Sequence, residues 1–313
     1  MVDKSIHIAC CIDNKYVKFC ITTLVSLFEN NKNESFDIHI VGSSFSEEAT
    51  AMLKQTVEGQ YSQQLHIYSV QEDELLKEFQ DFNFQHFSIV SNLKLFLPQI
   101  LPASLSKVLF LDCDLIVRKP IHKLWNTHIS SKALACVEDM WSNKDANYQR
   151  LQYESRYSHF NSGVLLLNLD YWRTHDTTKA LLKFMNNHRE QLTFIDQDIL
   201  NGVLYNQKVF LPLTWNVQTG FFLVHRHIRP EVWHELDEII CDPAIVHYTG
   251  GKKPWHFKSE HPYKNEFFYY LDKTEWKGER PKFMLGAWIL MKLRPLAIAL
   301  KLEKAGFKKF EKK

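Results

Sequence analysis

The sequence predicts an α/β protein: one catalytic domain with a mainly parallel central sheet, followed by a basic helical tail. Short apolar runs of strand length alternate with segments of helical periodicity, as expected for parallel strands joined by crossover helices. Two of these runs end in carboxylates, at the sheet edge where such folds bind ligands. The composition changes after Glu279, so we place the domain at residues 1–278 and the tail at 279–313.

The overall composition is that of an ordinary globular protein. Hydrophobic residues make up 45% of the 313 residues and charged residues 24%, and the net charge of +2 is too small to indicate nucleic-acid binding. No apolar run reaches the roughly 18 residues of a membrane-spanning helix, and the N-terminus is a poor signal peptide. The six scattered cysteines show no metal-binding spacing, which indicates small buried residues in a reducing compartment, and we expect a cytoplasmic location.

Residues 1–100 alternate between strand and helix patterns. The run IHIACCI at 6–12 predicts a buried strand ending at Asp13, whose carboxylate either meets a nucleotide or caps the next helix. Further strands are predicted at 36–41 and 65–70, and helices at 16–30, 46–58, 71–79 and 86–100. Lys94 lies on the last helix, where a lysine is usually a solvated surface residue. The absence of Gly-x-Gly-x-x-Gly after the first strand, and of any P-loop motif, argues against a nicotinamide dehydrogenase and a P-loop nucleotidase.

The segment KVLFLDCDLIVRKP, residues 107–120, places two carboxylates at the end of a buried strand. Apolar runs precede Asp112 and follow Asp114, which is unusual for a solvated turn. Residues two apart in an extended chain project to the same side, so both carboxylates can face one point. A cation between them relieves their repulsion. By itself this segment leaves a divalent-metal site and a structural turn equally open.

The middle of the chain places polar groups at the ends of apolar strands. Residues 134–137 predict a strand ending near Asp139, and the polar segment 140–157 is predicted to be a binding loop. The strand predicted at 160–169 opens with Asn161, Ser162 and Gly163, a corner where the backbone can approach a ligand closely.

A second polar group follows the helix predicted at 179–189. Asp196 and Gln197 lie either in a ligand pocket or at a helix N-terminus, where the helix dipole favours acidic residues. Strand patterns at 215–216 and 243–248 are predicted to complete the sheet.

His247 leads into the sequence HYTGGKKPWH. An isolated histidine at a strand end is more often a hydrogen-bonded structural residue than a metal ligand. Here Gly250 and Gly251 free the backbone and Lys253 supplies a cation, a combination that suits a phosphate held beside a metal. Two carboxylates and one imidazole suit Mn²⁺ better than Mg²⁺.

Taken in chain order, these segments resemble glycosyltransferase family 8 of the bacterial lipopolysaccharide galactosyl- and glucosyltransferase type, a relative of glycogenin. The resemblance spans roughly residues 5–258 and rests on the Asp13 turn, FLDCDLIV, FNSGVLLLNL, IDQDILNG and HYTGGKKPWH. It implies a GT-A fold and retaining transfer of galactose or glucose from a UDP-sugar. The implied acceptor is a saccharide, such as a lipopolysaccharide or lipooligosaccharide core or another surface glycan.

The resemblance also implies roles for single residues. Asp112, Asp114 and His247 would bind Mn²⁺ at the donor diphosphate, with Mg²⁺ as a second option. Contacts to the uracil and the phosphates are implied for Asp13, Gly250 and Lys253, and contacts to the sugar for Asp139, Asn161, Asp196 and Gln197, with His86 at the border. Lys94 and Lys15 depart from the family pattern. Lys94 replaces an arginine that reaches the donor, so a bidentate contact becomes a point charge.

Retention requires either a double displacement or attack on the face that the leaving group departs from. The resemblance places Gln197 under the anomeric carbon, and an amide is a poor nucleophile, with Asp196 as the alternative. We therefore expect front-face transfer, in which the departing phosphate accepts the proton of the acceptor and Gln197 stabilises positive charge.

The tail combines apolar and basic residues. From Leu296 onward, helical spacing places Leu300, Phe307 and Phe310 on one side and several lysines on another, although Glu303 falls on the apolar side. This pattern favours a helix lying on an anionic membrane surface over a helix that packs on the domain. We therefore expect peripheral association with the inner face of the bacterial cell membrane.

Two other classes of function compete with a transferase. A metal-dependent phosphohydrolase would use Asp112 and Asp114 to cleave nucleotide sugars without an acceptor. A non-catalytic UDP-sugar-binding protein would bind the donor only, but it has no need of the complete set of predicted metal ligands.

Overall fold

The computed structural model describes residues 5–71, 90–282, 293–294, 300 and 306–312. Its strands form one sheet of seven and another of three. They are β1 Ile6–Cys11, β2 Phe36–Gly42, β3 Gln64–Ser69, β4 Lys107–Leu111, β5 Leu115–Val117, β6 Leu134–Glu138, β7 Phe160–Asn168, β8 Lys208–Phe210, β9 Val217–Gln218 and β10 Ile245–His247.

Helices connect most of these strands. The α-helices are α1 Val17–Glu29, α2 Glu47–Lys54, α3 Leu97–Ile100, α4 His122–Trp125, α5 Asp145–Leu151, α6 Leu169–Thr174, α7 Thr177–Asn187, α8 Ile195–Leu204, α9 Trp233–Ile239 and α10 Lys264–Leu271. A π-helical turn at Gln55–Gln60 continues α2, and short 3-10 turns occupy Asn14–Tyr16, Val90–Phe96, Ser155–Tyr157, Arg189–Gln191, Leu213–Asn216, Thr219–Phe222 and Pro230–Val232.

The large sheet has the order β3-β2-β1-β4-β7-β6-β8. Its first four strands are parallel, as are β6 and β8, while β7 runs antiparallel to both of its neighbours. The predicted α/β fold with a mainly parallel sheet is therefore confirmed. Because β7 is reversed, its first residues lie beside the carboxyl end of β4, where Asp112 N–H donates to Gly163 O at 2.8 Å.

Both faces of the large sheet are covered, which explains the continuous apolar runs of its strands. In β1, Ile8 and Cys10 point into a core that includes α1, whereas Ala9 points into a second core on the opposite face. That second core contains the buried Trp172 and Leu181 from α6 and α7.

The three-stranded sheet corrects the prediction that 243–248 and 215–216 would complete the main sheet. Strand β10 pairs instead with β5 and β9, and residues 215–216 lie in the 3-10 turn that precedes β9. The chain bends at Asp112 to Asp114, so β5 leaves the main sheet. Helix α1 holds it there, because Thr23 Oγ1 donates to Leu115 O at 2.8 Å and Ser26 Oγ accepts from Val117 N–H at 2.8 Å.

Three other segments differ from expectation or lie outside it. The loop predicted at 140–157 contains α5, because Tyr148, Leu151 and Tyr153 bury a small apolar cluster of their own. In place of one helix, the described part of 86–100 has a 3-10 segment with non-helical dihedral angles at Asn92, followed by α3. Most of the helix predicted at 71–79 lies outside the described residues, as does His86.

The helical tail is not confirmed, and residues 306–312 are not helical. Phe307 forms an antiparallel bridge with Leu223, and Lys308 N–H donates to Phe222 O at 2.8 Å. Phe310 stacks on Phe222 with ring centroids 5.8 Å apart. Backbone pairing and aromatic packing with the domain thus replace the amphipathic helix at this end. In the described ranges, no helix has the length and apolar character needed to cross a bilayer.

Candidate functional site

Eleven residues of the predicted site line one cavity of about 650 Å³, while His86 lies outside the described residues. The cavity opens where β1 and β4 end and β7 begins. The predicted residues that line it are Asp13, Lys94, Asp112, Asp114, Asp139, Asn161, Asp196, Gln197, His247, Gly250 and Lys253. Groups far apart in the sequence therefore meet in one place.

Asp112, Asp114 and His247 face one another at the bend between β4 and β5. One ligand atom from each lies within 4.8 Å of the others. His247 Nε2 is 3.1 Å from Asp114 Oδ1 and 3.9 Å from Asp112 Oδ2. The imidazole is buried, and both carboxylates are partly open to the cavity. These side chains form a ligand set for a divalent cation.

Hydrogen bonds fix the tautomer of His247. Asn161 Oδ1 accepts from Gly163 N–H at 3.0 Å, so it also accepts from Asn216 Nδ2 at 2.8 Å. The Asn216 oxygen then faces His247 Nδ1 at 2.9 Å, which places the proton on Nδ1. In the neutral imidazole, Nε2 presents a lone pair to Asp114. With a second proton on Nε2 the imidazolium instead forms an ion pair with Asp114, so either a proton or a metal ion can lie between the two side chains.

Gly163 lets the metal-ligand side chains come together. A Cβ atom at this position would lie 2.2 Å from His247 Cε1 and 2.8 Å from Asp112 Oδ2. Any side chain would displace the imidazole or the carboxylate. The sequence predicted that a bound molecule approaches the backbone closely at this corner. In the structure, the side chains of the proposed metal ligands approach it instead.

Two lysines neutralise the carboxylates. Lys94 Nζ lies 2.8 Å from Asp196 Oδ2 and 3.2 Å from Asp112 Oδ1, and Lys253 forms an ion pair with Asp114. Lys94 is therefore a buried group of the site and not the solvated surface residue that its position in the sequence usually indicates.

The pKa values of the two carboxylates of the Asp-x-Asp motif are shifted in opposite directions. Burial raises the pKa of Asp112, and the Asp114 charge adds to this rise, so Lys94 offsets it only in part. Burial acts in the same sense on Asp114, but the charges of His247 and Lys253 outweigh it and hold its pKa well below the usual range. One carboxylate thus remains ionised far into acid.

The amide of Gln197 is fixed by hydrogen bonds at both ends. Its Oε1 accepts from Ser162 N–H at 3.2 Å and from Asn161 Nδ2 at 3.1 Å. Its Nε2 donates to Asp139 Oδ2 at 3.2 Å and lies 3.3 Å from His159 Nε2. Because a backbone N–H binds the oxygen, the amide cannot flip without losing this bond.

Asp13 and Gly250 lie at the rim of the cavity. Asp13 Oδ1 accepts from Lys15 N–H at 2.9 Å and Tyr16 N–H at 3.0 Å, so Asp13 caps the 3-10 turn Asn14–Tyr16 that precedes α1 and not α1 itself. Gly250 has φ of +82°, a left-handed conformation that favours glycine, and no atom lies within 4 Å of a Cβ placed there.

Several residues that support or line the cavity escaped the sequence reasoning. Asn216, which sets the tautomer of His247, appeared only as part of a strand pattern. His159, which contacts Gln197, carried no signal beyond its place before a strand. Both act through partners that the sheet pairing brings together, so no local pattern reveals them. Tyr16, Met140, Trp141 and Phe194 also line the cavity.

The family model for glycosyl transferase family 8 matches residues 7–259 of this chain. General stress protein A of Bacillus subtilis is 28% identical over 279 residues, which are 88% of this chain and 96% of that protein. The lipopolysaccharide 1,2-glucosyltransferase of Escherichia coli K12 is 24% identical, over 88% of this chain and 80% of that enzyme.

A solved structure has the same fold. The galactosyltransferase LgtC, crystallised with donor and acceptor sugar analogs, superposes with a TM-score of 0.75 at 24% sequence identity, over 86% of this chain and 96% of that chain. The expected GT-A fold is therefore confirmed.

Proposed function

This chain belongs to glycosyl transferase family 8, and we propose that it transfers galactose or glucose from a UDP-sugar to a saccharide acceptor with retention of configuration. The observation that carries the proposal is the convergence of Asp112, Asp114 and His247 on one point of the cavity. A transferase of nucleotide sugars needs a cation where the diphosphate departs, and this is the cation site of the cavity.

We assign Mn²⁺ to these three residues, with Mg²⁺ as the weaker fit because imidazole is a ligand. When bound, the ion neutralises the charge that develops on the departing diphosphate. The Nδ1–H bond from His247 to Asn216 leaves Nε2 available, and Gly163 keeps the space for it clear. Lys253 pairs with Asp114 and, in the proposal, adds a positive charge at the phosphates, with Gly250 alongside.

The donor's other groups are assigned along the cavity. The uracil contact goes to Asp13, through the oxygen that does not cap the turn. The sugar lies against Asp139, Asn161, Asp196 and Gln197. Hydrogen bonds join Asp139, Asn161 and Gln197, and Ser162 links Gln197 to Asp196, which pairs with Lys94. The network holds these groups in place before the donor arrives, as a site for a charged transition state requires.

The pairing of Asp196 favours front-face transfer. Its carboxylate accepts from Ser162 Oγ at 2.8 Å and pairs with Lys94, and these partners lower its pKa despite burial. A carboxylate so stabilised is a poor nucleophile. In the proposal the departing phosphate takes the proton of the acceptor hydroxyl, and the fixed amide of Gln197 stabilises positive charge at the sugar.

This mechanism has a direct test. Gln197→Ala should slow transfer but leave measurable retaining activity, because no covalent bond to the enzyme is needed. Trapping with a fluorinated donor followed by peptide mass spectrometry should find no glycosyl adduct. A complete loss of activity together with an adduct on Asp196 would establish double displacement instead.

For the acceptor we propose a lipopolysaccharide or lipooligosaccharide core, or another surface glycan, reached at the inner face of the cell membrane. The name of the Escherichia coli relative and the basic sequence after Glu279 support this. Truncation after Glu279 should release the protein from anionic vesicles. Because residues 306–312 pack on the domain, Lys301→Glu with Lys304→Glu separates lost charge from lost packing, and unchanged pelleting would count against the membrane contact.

The function itself is tested by UDP release from a panel of UDP-sugars, with and without Mn²⁺ and a lipooligosaccharide core. We expect release from UDP-galactose or UDP-glucose that needs both and that disappears in Asp114→Ala but not in the distant control Asp170→Ala. Acceptor-independent release would indicate the phosphohydrolase. Tight UDP binding without release from any acceptor tried would favour the binding protein.

A further inference from the structure

Three cysteines that show no spacing pattern in the sequence meet behind the Asp-x-Asp motif. Cys10 comes from β1, Cys20 from α1, and Cys113 lies between Asp112 and Asp114. Their three sulfur atoms all lie within 4.8 Å of one another. All three are buried free thiols in the core between the large sheet and α1.

The three elements that carry these thiols are held in place by other contacts. Cys10 lies on an inner strand paired on both sides. One turn after Cys20, Thr23 hydrogen-bonds Leu115 and so fixes α1 against the strand that follows Cys113. The sulfur atoms thus form an organised cluster and not a chance approach of mobile side chains.

The sulfur cluster suits a different ion from the carboxylate site. Thiolates prefer soft ions, whereas Mn²⁺ prefers oxygen and nitrogen ligands. With metal–sulfur bonds of about 2.3 Å, three sulfurs around one ion lie at most about 4.0 Å apart, so sulfurs that lie within 4.8 Å of one another can share one ion after a small inward movement. A structural zinc site normally has four protein ligands, and the described residues supply three sulfurs here.

The net charge of the complex decides which soft ion this buried cluster can hold. Three thiolates around a divalent ion carry a net negative charge, and around a monovalent ion more. Burying a net charge in an apolar core is unfavourable, and the neighbouring Asp112 carboxylate would add repulsion. Three thiolates around a trivalent ion form a neutral complex, which an apolar core can hold.

We propose that Cys10, Cys20 and Cys113 form a binding site for trivalent arsenic of the arsenite class. Arsenous acid, As(OH)₃, reacts with three thiols to form three As–S bonds, while three As–O and three S–H bonds break and three waters leave. Arsenic remains trivalent, so neither an oxidant nor a reductant is needed. The reagent is small and uncharged, and it reaches the buried cluster through local opening of the fold.

Occupation of this site acts on the neighbouring cation site. Cys113 is bonded to both Asp112 and Asp114, so three As–S bonds fix the bend that carries these carboxylates. The measurement of arsenic binding needs neither Mn²⁺ nor a sugar donor, so the proposal stands or falls independently of the proposed function.

The test is native mass spectrometry of the full chain after incubation with arsenite and a thiol-free phosphine reductant. We expect one arsenic per chain, with the loss of three hydrogens. Cys20→Ala should abolish binding. The matched control Cys136→Ala removes an equally buried strand cysteine outside the cluster and should bind as the wild type does, as should Cys11→Ala, since Cys11 faces the opposite side of β1.

Thermal unfolding distinguishes the loss of the arsenic site from the misfolding of a variant. Arsenite should raise the unfolding temperature of the wild type by binding only the folded state, and it should leave Cys20→Ala unchanged. If Cys20→Ala does not fold, Cys113→Ser serves as the second variant. Absence of arsenic in the folded wild type would overturn the proposal, as would undiminished binding in folded Cys20→Ala or Cys113→Ser.

Discussion

Gly163 lies so close to His247 that a methyl group on its Cα would sit 2.2 Å from Cε1 of the imidazole. The other end of the same space is occupied by Asp112, at 2.8 Å. This glycine therefore sets the geometry of the proposed cation site without being a ligand itself.

Gly163→Ala should weaken Mn²⁺ binding at least tenfold, because the methyl group must displace His247 or Asp112. Manganese binding can be followed by electron paramagnetic resonance of the free ion. Gly59→Ala is the matched control, since a methyl group there meets only the flexible side chain of Gln55 at 3.1 Å. Unchanged affinity in Gly163→Ala would remove His247 and Asp112 from the ligand set.

Lys94→Met should lower the free energy of unfolding by about 2–4 kcal/mol, because it leaves two carboxylates without their shared cation. This loss of unfolding free energy is moderate for a buried ion pair, since Asp112 and Asp196 are open to the cavity on one side. Urea unfolding measures it. Adding Asp196→Asn should recover part of the loss, and Lys183→Met, on an exposed position of α7, should be near neutral. No recovery in the double variant would show that the Lys94 to Asp196 pair is not the cause.

Acid should destabilise the protein through His39. Burial lowers its pKa to about 4, and the charges of His66 and His7 act in the same direction while Asp37 opposes them. The unfolded chain, with a histidine pKa near 6.5, binds more protons between these values. The contribution of His39 to the free energy of unfolding is therefore complete above pH 6.5. It is lost as pH falls towards 4, by up to about 1.4 kcal/mol per pH unit.

His39→Gln is the matching experiment. It should flatten the decline in the free energy of unfolding between pH 6.5 and 5, while His175→Gln, on the surface, should keep it. Tyr68, whose hydroxyl lies 3.1 Å from His39 Nδ1, stays neutral through this range because burial raises its pKa. Equal slopes for wild type and His39→Gln would assign the acid sensitivity to other groups.

Phe310→Ala should loosen the C-terminal segment, because the ring stacks on Phe222 and lies 6.1 Å from Tyr263. Removal of a partly buried ring costs about 1–3 kcal/mol. Hydrogen exchange at Lys308 N–H, which is bonded to Phe222 O, should become faster, and Lys309→Ala, on an exposed position, should leave it unchanged. Protection that survives Phe310→Ala would mean that backbone pairing alone holds the segment.

Local chemistry made much of the fold predictable. The apolar runs became inner strands because both faces of the sheet are covered, and the helix predicted from residue 46 begins with Ser46 as its cap, accepting from Ala49 N–H at 3.1 Å. The proposed cation ligands were found through the resemblance, since nothing local joins Asp112 to His247.

What escaped prediction depends on long-range pairing. The reversal of β7 brings Gly163 to Asp112, and the separate sheet of β5, β9 and β10 brings Asn216 to His247. The cysteine cluster escaped for the same reason, because its members lie on three elements. Residues 306–312 differ from the predicted helix because helical spacing ignores the backbone pairing that Leu223 offers to Phe307.

The docking of residues 306–312 changes what the intervening segment can do. The structure describes the domain up to Lys282, and the chain pairs with the domain again at Phe307, so the segment between them is attached at both of its ends. A segment attached at one end lets an enzyme rotate freely at a surface. A segment attached at both ends restricts which side of the protein can face whatever the segment contacts. If the segment contacts a lipid leaflet, as proposed, the mouth of the cavity keeps a fixed orientation to the bilayer. The enzyme then accepts only those acceptors that extend far enough from the bilayer to reach the cavity.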